Sequence, residues 1–424
     1  MKKIAIIGSG ISGLSSAYFL KDDFDITIFE KLSRIGGNSR TIEISKNLFH
    51  TKVDTGFIVL NDRNYPLLRK LFEDLKIELH DTEMSFSVSS SKYEWSGNNL
   101  DSLFAQRKNL LDIKMIKGIW DILKFNKNVM KFIDQNPSLS LDGLMTTMNL
   151  GEWFKEYYLY PMGSSIWSSS AEEIGKFPAK SFVSFFNNHG LLTINNRPQW
   201  MSLKNKSIDY VSKLEDLLLK KVKIIRNAEI HSITRDKNKI KIRKQDQEFE
   251  FDKVIFSNHP EEILKNLKDL SGLEEKILTK FKQSKNIAYT HNEEKIMPHL
   301  KKCWASWNFK YDNDLKLGSV TYWMNKLQNI DYNIPIFVTL NPITPIKDHK
   351  IYDIYEFYHP QYNMDSLLGQ KEIREIQGKN NLYFCGAYLK NGFHEDGISS
   401  AKEVADAIKN ETIKGSNLSQ EICS

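Results

Sequence analysis

The chain has 424 residues, 41% of them hydrophobic and 12% aromatic, more than one core normally holds, and two domains are expected. Its net charge of +6 comes from lysines spread through a sequence also rich in Ile and Asn, which gives no ground for nucleic-acid binding. Cys303, Cys385 and Cys423 are odd in number and far apart, so neither a disulfide framework nor a zinc site is suggested and no metal is expected.

Met1-Lys2-Lys3 before an apolar run imitates a secretory signal, but Gly8, Gly10 and Gly13 interrupt that run. No other stretch approaches the roughly 18 apolar residues of a membrane span, and a cytoplasmic location is expected. The run KIAII at 3–7 suits a strand buried on both faces, and it enters Gly8-Ser9-Gly10-Ile11-Ser12-Gly13 directly. In that context the first glycine permits a tight turn, the second admits a pyrophosphate, and the third lets the following helix lie close to the strand. A helix over 14–20 then offers its N-terminal amides to the phosphates. The strand at 25–29 delivers Glu30, seventeen residues after Gly13, where an acid can take the hydroxyls of an adenosine ribose. Glu30-Lys31, Arg34 and Gly36-Gly37 follow; this second glycine pair is not needed for NAD, and it resembles the start of FAD flavoproteins of the two-dinucleotide-binding type. Noncovalent FAD is the expected cofactor.

Further along, residues 53–59 read as a strand broken by Gly56, which suggests close approach of Thr55-Gly56-Phe57 to a ligand. Residues 65–75 read as an amphipathic helix, 84–95 as strands, and 100–134 as one long helical stretch. On it Met115, Ile119, Ile122, Val129 and Ile133 share one face, and Lys117, Lys124, Lys127 and Lys131 the other, with Trp120 among the lysines. Such a face is either solvated or lies on anionic lipid. Residues 157–167 and 177–200 are dense in aromatics, with breaks expected at Pro161, Pro178 and Pro198. They and the segment Trp304-Ala305-Ser306-Trp307 are expected to line an apolar substrate tunnel, with His189 as a candidate catalytic group.

Short strands return at 222–226, 230–235, 239–243, 248–251 and 253–256, with Ile230 expected near the adenine. Residues 264–282 read as helix, and 303–309 and 318–324 as strands of the second domain. Near the end, a strand at 381–385 leads to Gly386-Ala387. Gly392-Phe393-His394-Glu395-Asp396-Gly397 then opens a helix predicted over 398–408, which starts with Ile398. Its N-terminal amides suit the pyrimidine end of a flavin, where negative charge grows on reduction, and His394 is the second candidate catalytic group. The polar tail after Asn410 is expected to fray.

Across nearly its whole length the chain resembles the flavin-containing amine oxidase superfamily. Asp54-Thr55-Gly56-Phe57, Tyr160-Pro161-Met162-Gly163, Asn188-His189-Gly190-Leu191, Trp304 to Asn308 and Gly392 to Gly397 are similar to a bacterial branch often encoded beside cyclopropane-fatty-acid synthase-like methyltransferases. The resemblance implies an α/β fold in which a Rossmann-like FAD-binding domain (1–75, 205–262 and 376–412) is interleaved with an α+β substrate domain (76–204 and 263–375), and 413–424 form a tail. It implies hydride transfer from substrate to flavin N5, on an unsaturated or methylated lipid acyl chain. The alternatives are an amine oxidase releasing hydrogen peroxide and a non-catalytic flavoprotein partner of a lipid methyltransferase. Expected partners are a small-molecule or lipid substrate and an anionic membrane surface on the inner face; the oligomeric state is left open. The chain departs from the superfamily in Ala387 for the usual Glu, Phe393 for a cage tyrosine, and Lys204-Asn205-Lys206-Ser207 for Gly-Gly-Ser. No residue matches the flavin-facing lysine of amine oxidases.

Overall fold

The computed structural model of the protein describes residues 1–46, 49–167, 169–193, 197–237, 239–312 and 317–421. Five parallel strands form one sheet in the order Val222–Ile225, Asp25–Phe29, Lys3–Ile7, Lys253–Phe256, Leu382–Phe384. Lys3–Ile7 sits at its centre, with Ile4 opposite Ile26 on one side and Lys253 on the other. These strands are nearly unbroken apolar runs because both faces of the sheet are covered. On one face Ile4, Ile6, Ile26 and Ile28 pack against Leu14 and Ala17 of the helix Ile11–Leu20, against Tyr210 and Leu214 of Ser207–Leu218, and against Val404 and Ile408 near the C-terminus. On the other, Ala5, Ile7, Phe29 and Val254 pack on a three-stranded antiparallel sheet, Ser232–Asp236, Lys239–Lys244 and Gln247–Phe251.

A second sheet has seven strands in the order Ile351–Pro360, Gln283–His291, Phe337–Leu340, Leu317–Trp323, Trp307–Asp312, Phe86–Ser89, Glu94–Ser96. It is antiparallel except where Trp307–Asp312 meets Phe86–Ser89. Helices between residues 113 and 188 bury their own cluster, centred on Phe125, Phe154, Phe182 and Phe186. The two sheets are joined through the hairpin Thr41–Lys46 and Phe49–Asp54 and through a bidentate ion pair from Arg40 to Asp353 at 2.7 and 3.0 Å. Among the described residues no helix is long and apolar enough to cross a membrane.

Several local expectations are corrected. The stretch 100–134 is not one helix: Asp112 accepts from the amides of Lys114 and Met115 and starts a fresh helix, Ile113–Gln135, after the short turns Leu100–Leu103 and Arg107–Leu111. Pro161 does not break the chain, because a π-helical turn at Lys155–Leu159 widens the helix just before it and absorbs its missing amide. Ser271 caps a new helix at Gly272–Leu278 and divides the segment 264–282. Cys303 ends a 3-10 turn, and the strand starts only at Trp307. The C-terminal helix begins at His394 rather than Ile398 and continues to Glu421, since no proline interrupts it.

Candidate active site

The groove at the top of the parallel sheet is built from two glycine turns. Gly8 turns the chain at φ +101°, a conformation that favours glycine. A Cβ on Gly13 would lie 2.0 Å from the Gly8 carbonyl oxygen, so the helix Ile11–Leu20 approaches the strand this closely only through glycine. Gly10 differs: its φ is an ordinary −68°, and the atom nearest an added Cβ is the Gly37 Cα, 4.0 Å away. The Gly36 amide donates to the Ser9 carbonyl at 2.9 Å and holds the second turn over the first. The space above Gly10, faced by the opening amides of Ile11, Ser12 and Gly13, is a cradle that a side chain would fill, and it fits a pyrophosphate.

Glu30 is buried at the end of the second strand. One carboxylate oxygen accepts from the Ser9 amide at 3.0 Å and from the Ser9 hydroxyl, and the other accepts from the Leu32 amide at 2.8 Å. A carboxylate has about four acceptor sites, so one remains for a ribose hydroxyl. Ile230 lies beside it in one cluster with Ile7 and Phe29. Two expectations change here. Lys31 turns to the surface and pairs with Glu262 at 2.6 Å. Arg34 braces the second turn, donating to the Gly37 carbonyl and the Tyr355 hydroxyl, both at 2.8 Å.

The C-terminal motif arrives at the same place. An added Cβ on Gly397 would lie 2.7 Å from the Ile11 side chain and 2.9 Å from the Ser12 hydroxyl oxygen, and further along the Lys402 ammonium sits over the Phe19 ring. The two helices therefore run side by side in the same direction, and both positive ends face the groove. Ile398 is buried below them, and the Gly386 amide is held by the Ser400 hydroxyl at 2.9 Å, with Ala387 opening a 3-10 turn. Both carboxylates of this motif accept from backbone amides. Glu395 accepts from the amides of Leu67 and Leu68, both at 2.9 Å, and caps the helix Pro66–Asp74. Asp396 closes its own turn on the amides of Asn391 and Phe393, and its enclosure raises it to about 6.

His394 stacks on Phe57 with ring centroids 3.8 Å apart, and its Nε2 lies 2.9 Å from the Ser39 hydroxyl. Enclosure by protein lowers its pKa to about 3, so the ring is neutral. An added Cβ on Gly56 would lie 2.1 Å from the Asn38 carbonyl oxygen, the Phe57 amide donates to that same oxygen at 3.0 Å, and Thr55, Gly56 and Phe57 all line a cavity. Thr55 is held by Arg40, donating its amide to the Arg40 carbonyl at 2.9 Å.

From Asn38, Phe57 and His394 a cavity of roughly 560 Å³ runs between the second sheet and the helical layer. Its walls include Trp95, Tyr158, Trp167, Phe185, Trp307 and Tyr322. Trp304 is not among them; it packs on Trp323 and Phe337 and donates to the Pro298 carbonyl. Tyr157 faces the Tyr93–Trp153 cluster instead. His189 ends the helix Ala179–Asn188, stacks on Phe185 at 3.8 Å, and is lowered to about 4 by its enclosure. Phe393 stacks on the same Phe185 at 4.9 Å.

The indole N–H groups of Trp95, Trp167 and Trp307 are enclosed without a hydrogen-bond partner. Arg197, at the exposed end, donates its Nε to the Thr193 carbonyl at 3.0 Å and forms no ion pair among the described residues. Gly97 and Asn98 are further exposed residues of the lining. Sequence reasoning missed Arg197 and Trp95; the signal available was a lone arginine next to Pro198 in an otherwise aromatic stretch. It also missed Asp54, which accepts from the Ser207 amide at 2.9 Å and the Ser207 and Thr41 hydroxyls at 2.6 Å, and which burial raises to about 6. Beside it Lys206 adopts φ +67°, a backbone conformation that favours glycine.

The NAD(P)-binding Rossmann-like domain family matches residues 6–75. Over 191 residues the chain is 26% identical to coproporphyrinogen III oxidase of Staphylococcus aureus (strain NCTC 8325 / PS 47). The match covers 41% of this chain and 38% of that protein, so the chain spans well under half the length of this curated relative. Among solved structures, the CLA-producing fatty acid isomerase from P. acnes superposes with a TM-score of 0.69 at 14% identity, over 96% of this chain and 98% of its own. Cyclohexylamine oxidase from Brevibacterium oxydans IH-35A gives 0.67 at 11% identity, over 97% and 99%. The chain therefore shares its fold with these solved structures over nearly its whole length.

Proposed function

We propose that this chain is an FAD-dependent oxidoreductase that takes a hydride from an apolar substrate whose outer end carries a hydrogen-bond acceptor such as a carboxylate. The observation that carries the reading is the meeting of the cavity with both dinucleotide turns: Asn38, one residue after Gly37, and His394, at the head of the C-terminal helix, line the cavity's inner end. FAD, when bound, supplies the two-electron acceptor. The open space at Gly10 and the last acceptor site of Glu30 are the residues' share in holding it.

The chain's own residues then orient the substrate and exclude water. Aromatic walls bury an apolar body at about 25 cal/mol per Å² removed from water. The donor at the exposed end of the cavity is the Arg197 guanidinium. A cationic amine would find no free carboxylate, because Glu83, the acidic residue among those lining this cavity, is paired with Lys326 at 2.9 Å. Enclosing an unpaired ammonium costs several kcal/mol, which counts against the amine oxidase reading. A fatty acid, the substrate class named for the structurally similar isomerase, combines an apolar body with one anionic end. The neutral rings of His394 and His189 flank the reacting end as positioning groups and neither carries a charge that would repel or attract the departing hydride.

The test is anaerobic mixing of the FAD-loaded protein with long-chain carboxylic acids and, separately, with primary amines, following loss of the flavin absorbance. Bleaching by acids and not by amines supports the reading. Bleaching by amines alone, with peroxide on admitting air, would replace it with amine oxidation.

A further inference from the structure

We propose that the protein docks on the surface of an anionic lipid bilayer through the segment 110–123, and that docking brings the cavity mouth to the membrane. This stands on the surface alone and holds whether or not the chain carries FAD.

Large apolar side chains are gathered on the outside of this segment. Leu111 is 87% exposed, Ile113 68% and Trp120 67%, and Leu110, Ile116 and Leu123 are exposed beside them. Positions 113, 116, 120 and 123 fall on one side of the helix Ile113–Gln135, opposite the buried Met115, Gly118, Phe125 and Val129. A monomer gains nothing in water from presenting such a stripe, and a contiguous exposed apolar patch marks a contact surface.

Its charges identify the occupant. Lys108, Lys114, Lys117 and Lys127 are exposed around the patch, and none forms an ion pair among the described residues. The nearby acids are engaged: Asp112 caps the helix and takes the Tyr93 hydroxyl, Asp121 takes the Gly151 amide, and Asp101 pairs with Arg107 and Lys302. An apolar stripe with an interfacial tryptophan inside a lysine ring matches the acyl boundary and the phosphates of an anionic leaflet. A second copy would meet the patch with its own lysines, because a two-fold contact brings the same surface to itself. One lysine drops out of the reading: Lys124 donates to the carbonyls of Met148 and Asn149 at 2.7 and 3.2 Å and closes the end of a neighbouring helix.

The patch is connected to the cavity. Gly97 and Asn98, exposed residues of the lining, lie just before Leu100, which is 74% exposed. Behind the patch the helix is pressed onto Trp153 at Gly118, where an added Cβ would lie 2.1 Å from the indole, and Trp153 packs on the cavity wall at Trp95 with centroids 6.1 Å apart.

The experiment is co-sedimentation of the full chain with vesicles of phosphatidylcholine, alone or mixed with phosphatidylglycerol. Wild type is expected to pellet with the mixed vesicles and to be released as salt rises. The triple variant Leu111→Ser, Ile113→Ser, Trp120→Ser changes only exposed positions, keeps the wild-type melting temperature, and binds at least about tenfold more weakly. The pair Lys117→Gln and Lys127→Gln weakens binding to mixed vesicles alone, by about tenfold. Wild type left in the supernatant with both vesicles, or the folded triple variant pelleting as wild type does, overturns the proposal. So does a wild-type dimer that ignores vesicles and becomes a monomer in the triple variant, which would make the patch a self-association surface.

Discussion

His394 and Phe57 lie face to face, ring centroids 3.8 Å apart and planes 16° from parallel, and so join the head of the C-terminal helix to the loop that follows Gly56. The His394 Nε2 is held by Ser39, whose hydroxyl also meets that of Tyr210. This network fixes the ring where the cavity ends, and enclosure keeps it neutral by lowering it to about 3. His394→Ala is therefore expected to slow flavin reduction while leaving FAD bound, since the cradle at Gly10 is untouched. His394→Phe keeps the stack and restores most of the rate. In wild type the pH profile of the reduction rate shows no inflection from this ring between pH 5 and 8. Unchanged kinetics in the alanine variant would remove His394 from the site.

The second and third glycines of the first turn separate folding from binding. Gly13→Ala forces a methyl to 2.0 Å from the Gly8 carbonyl and is expected to cost at least about 3 kcal/mol, read as a lost or strongly lowered melting transition. Gly10→Val puts its side chain into open space at an ordinary φ, so the apo protein melts as wild type does. Equal melting temperatures for Gly13→Ala and wild type would contradict the packing described here.

Stability is expected to fall with acid. His189, His259, His291 and His359 are lowered to about 4, and His394 to about 3, by being taken out of water. A group held neutral in the fold contributes stability that is complete above its unfolded value near 6.5 and is lost as pH falls toward its folded value. Asp54 and Asp396, raised to about 6, act the other way: the fold binds their protons more tightly, and their contribution is lost as pH rises from about 4 to 6. His80 is lowered as well and Glu395 raised, so six imidazoles outweigh three carboxyls. A thermal-shift series should show the melting temperature dropping from pH 6.5 to 4, and a flat or rising series would contradict the account.

Arg197 is expected to act on the substrate's outer end. At this exposed end a charge-assisted pair with a carboxylate is worth up to about 1 kcal/mol, roughly fivefold in affinity. Arg197→Leu should raise KM for a long-chain acid by that factor with little change in kcat, and leave its methyl ester unaffected. Equal effects on acid and ester would move the acceptor elsewhere in the cavity.

What could be read from the sequence was local. Gly8, Gly10, Gly13 and Glu30 declare themselves because a strand, a turn, a helix and a second strand are consecutive, and the motif at Gly392 to Gly397 repeats that order. What could not be read depends on partners far along the chain. Glu395 meets the amides of Leu67 and Leu68, Lys31 meets Glu262, and Arg34 meets Tyr355, and no spacing rule connects such positions. Gly56 was legible as a close approach, and the Asn38 carbonyl that it meets was not, because no spacing rule connects the two positions. The helix start at Asp112 was readable, because an Asp before Ile113 is an N-cap signal that the long amphipathic pattern masks. The wall of Trp95, Trp167 and Trp307 exists only once three separate segments are folded against one another.

The central claim is that the two glycine turns hold FAD, and the absorbance spectrum of the purified protein, with and without Gly10→Val, tests it most directly. Wild type is expected to be yellow and to release FAD on denaturation, and the Gly10→Val protein to be folded and colourless. A colourless wild type that takes up NAD and not FAD, or a Gly10→Val protein as yellow as wild type, would contradict that claim.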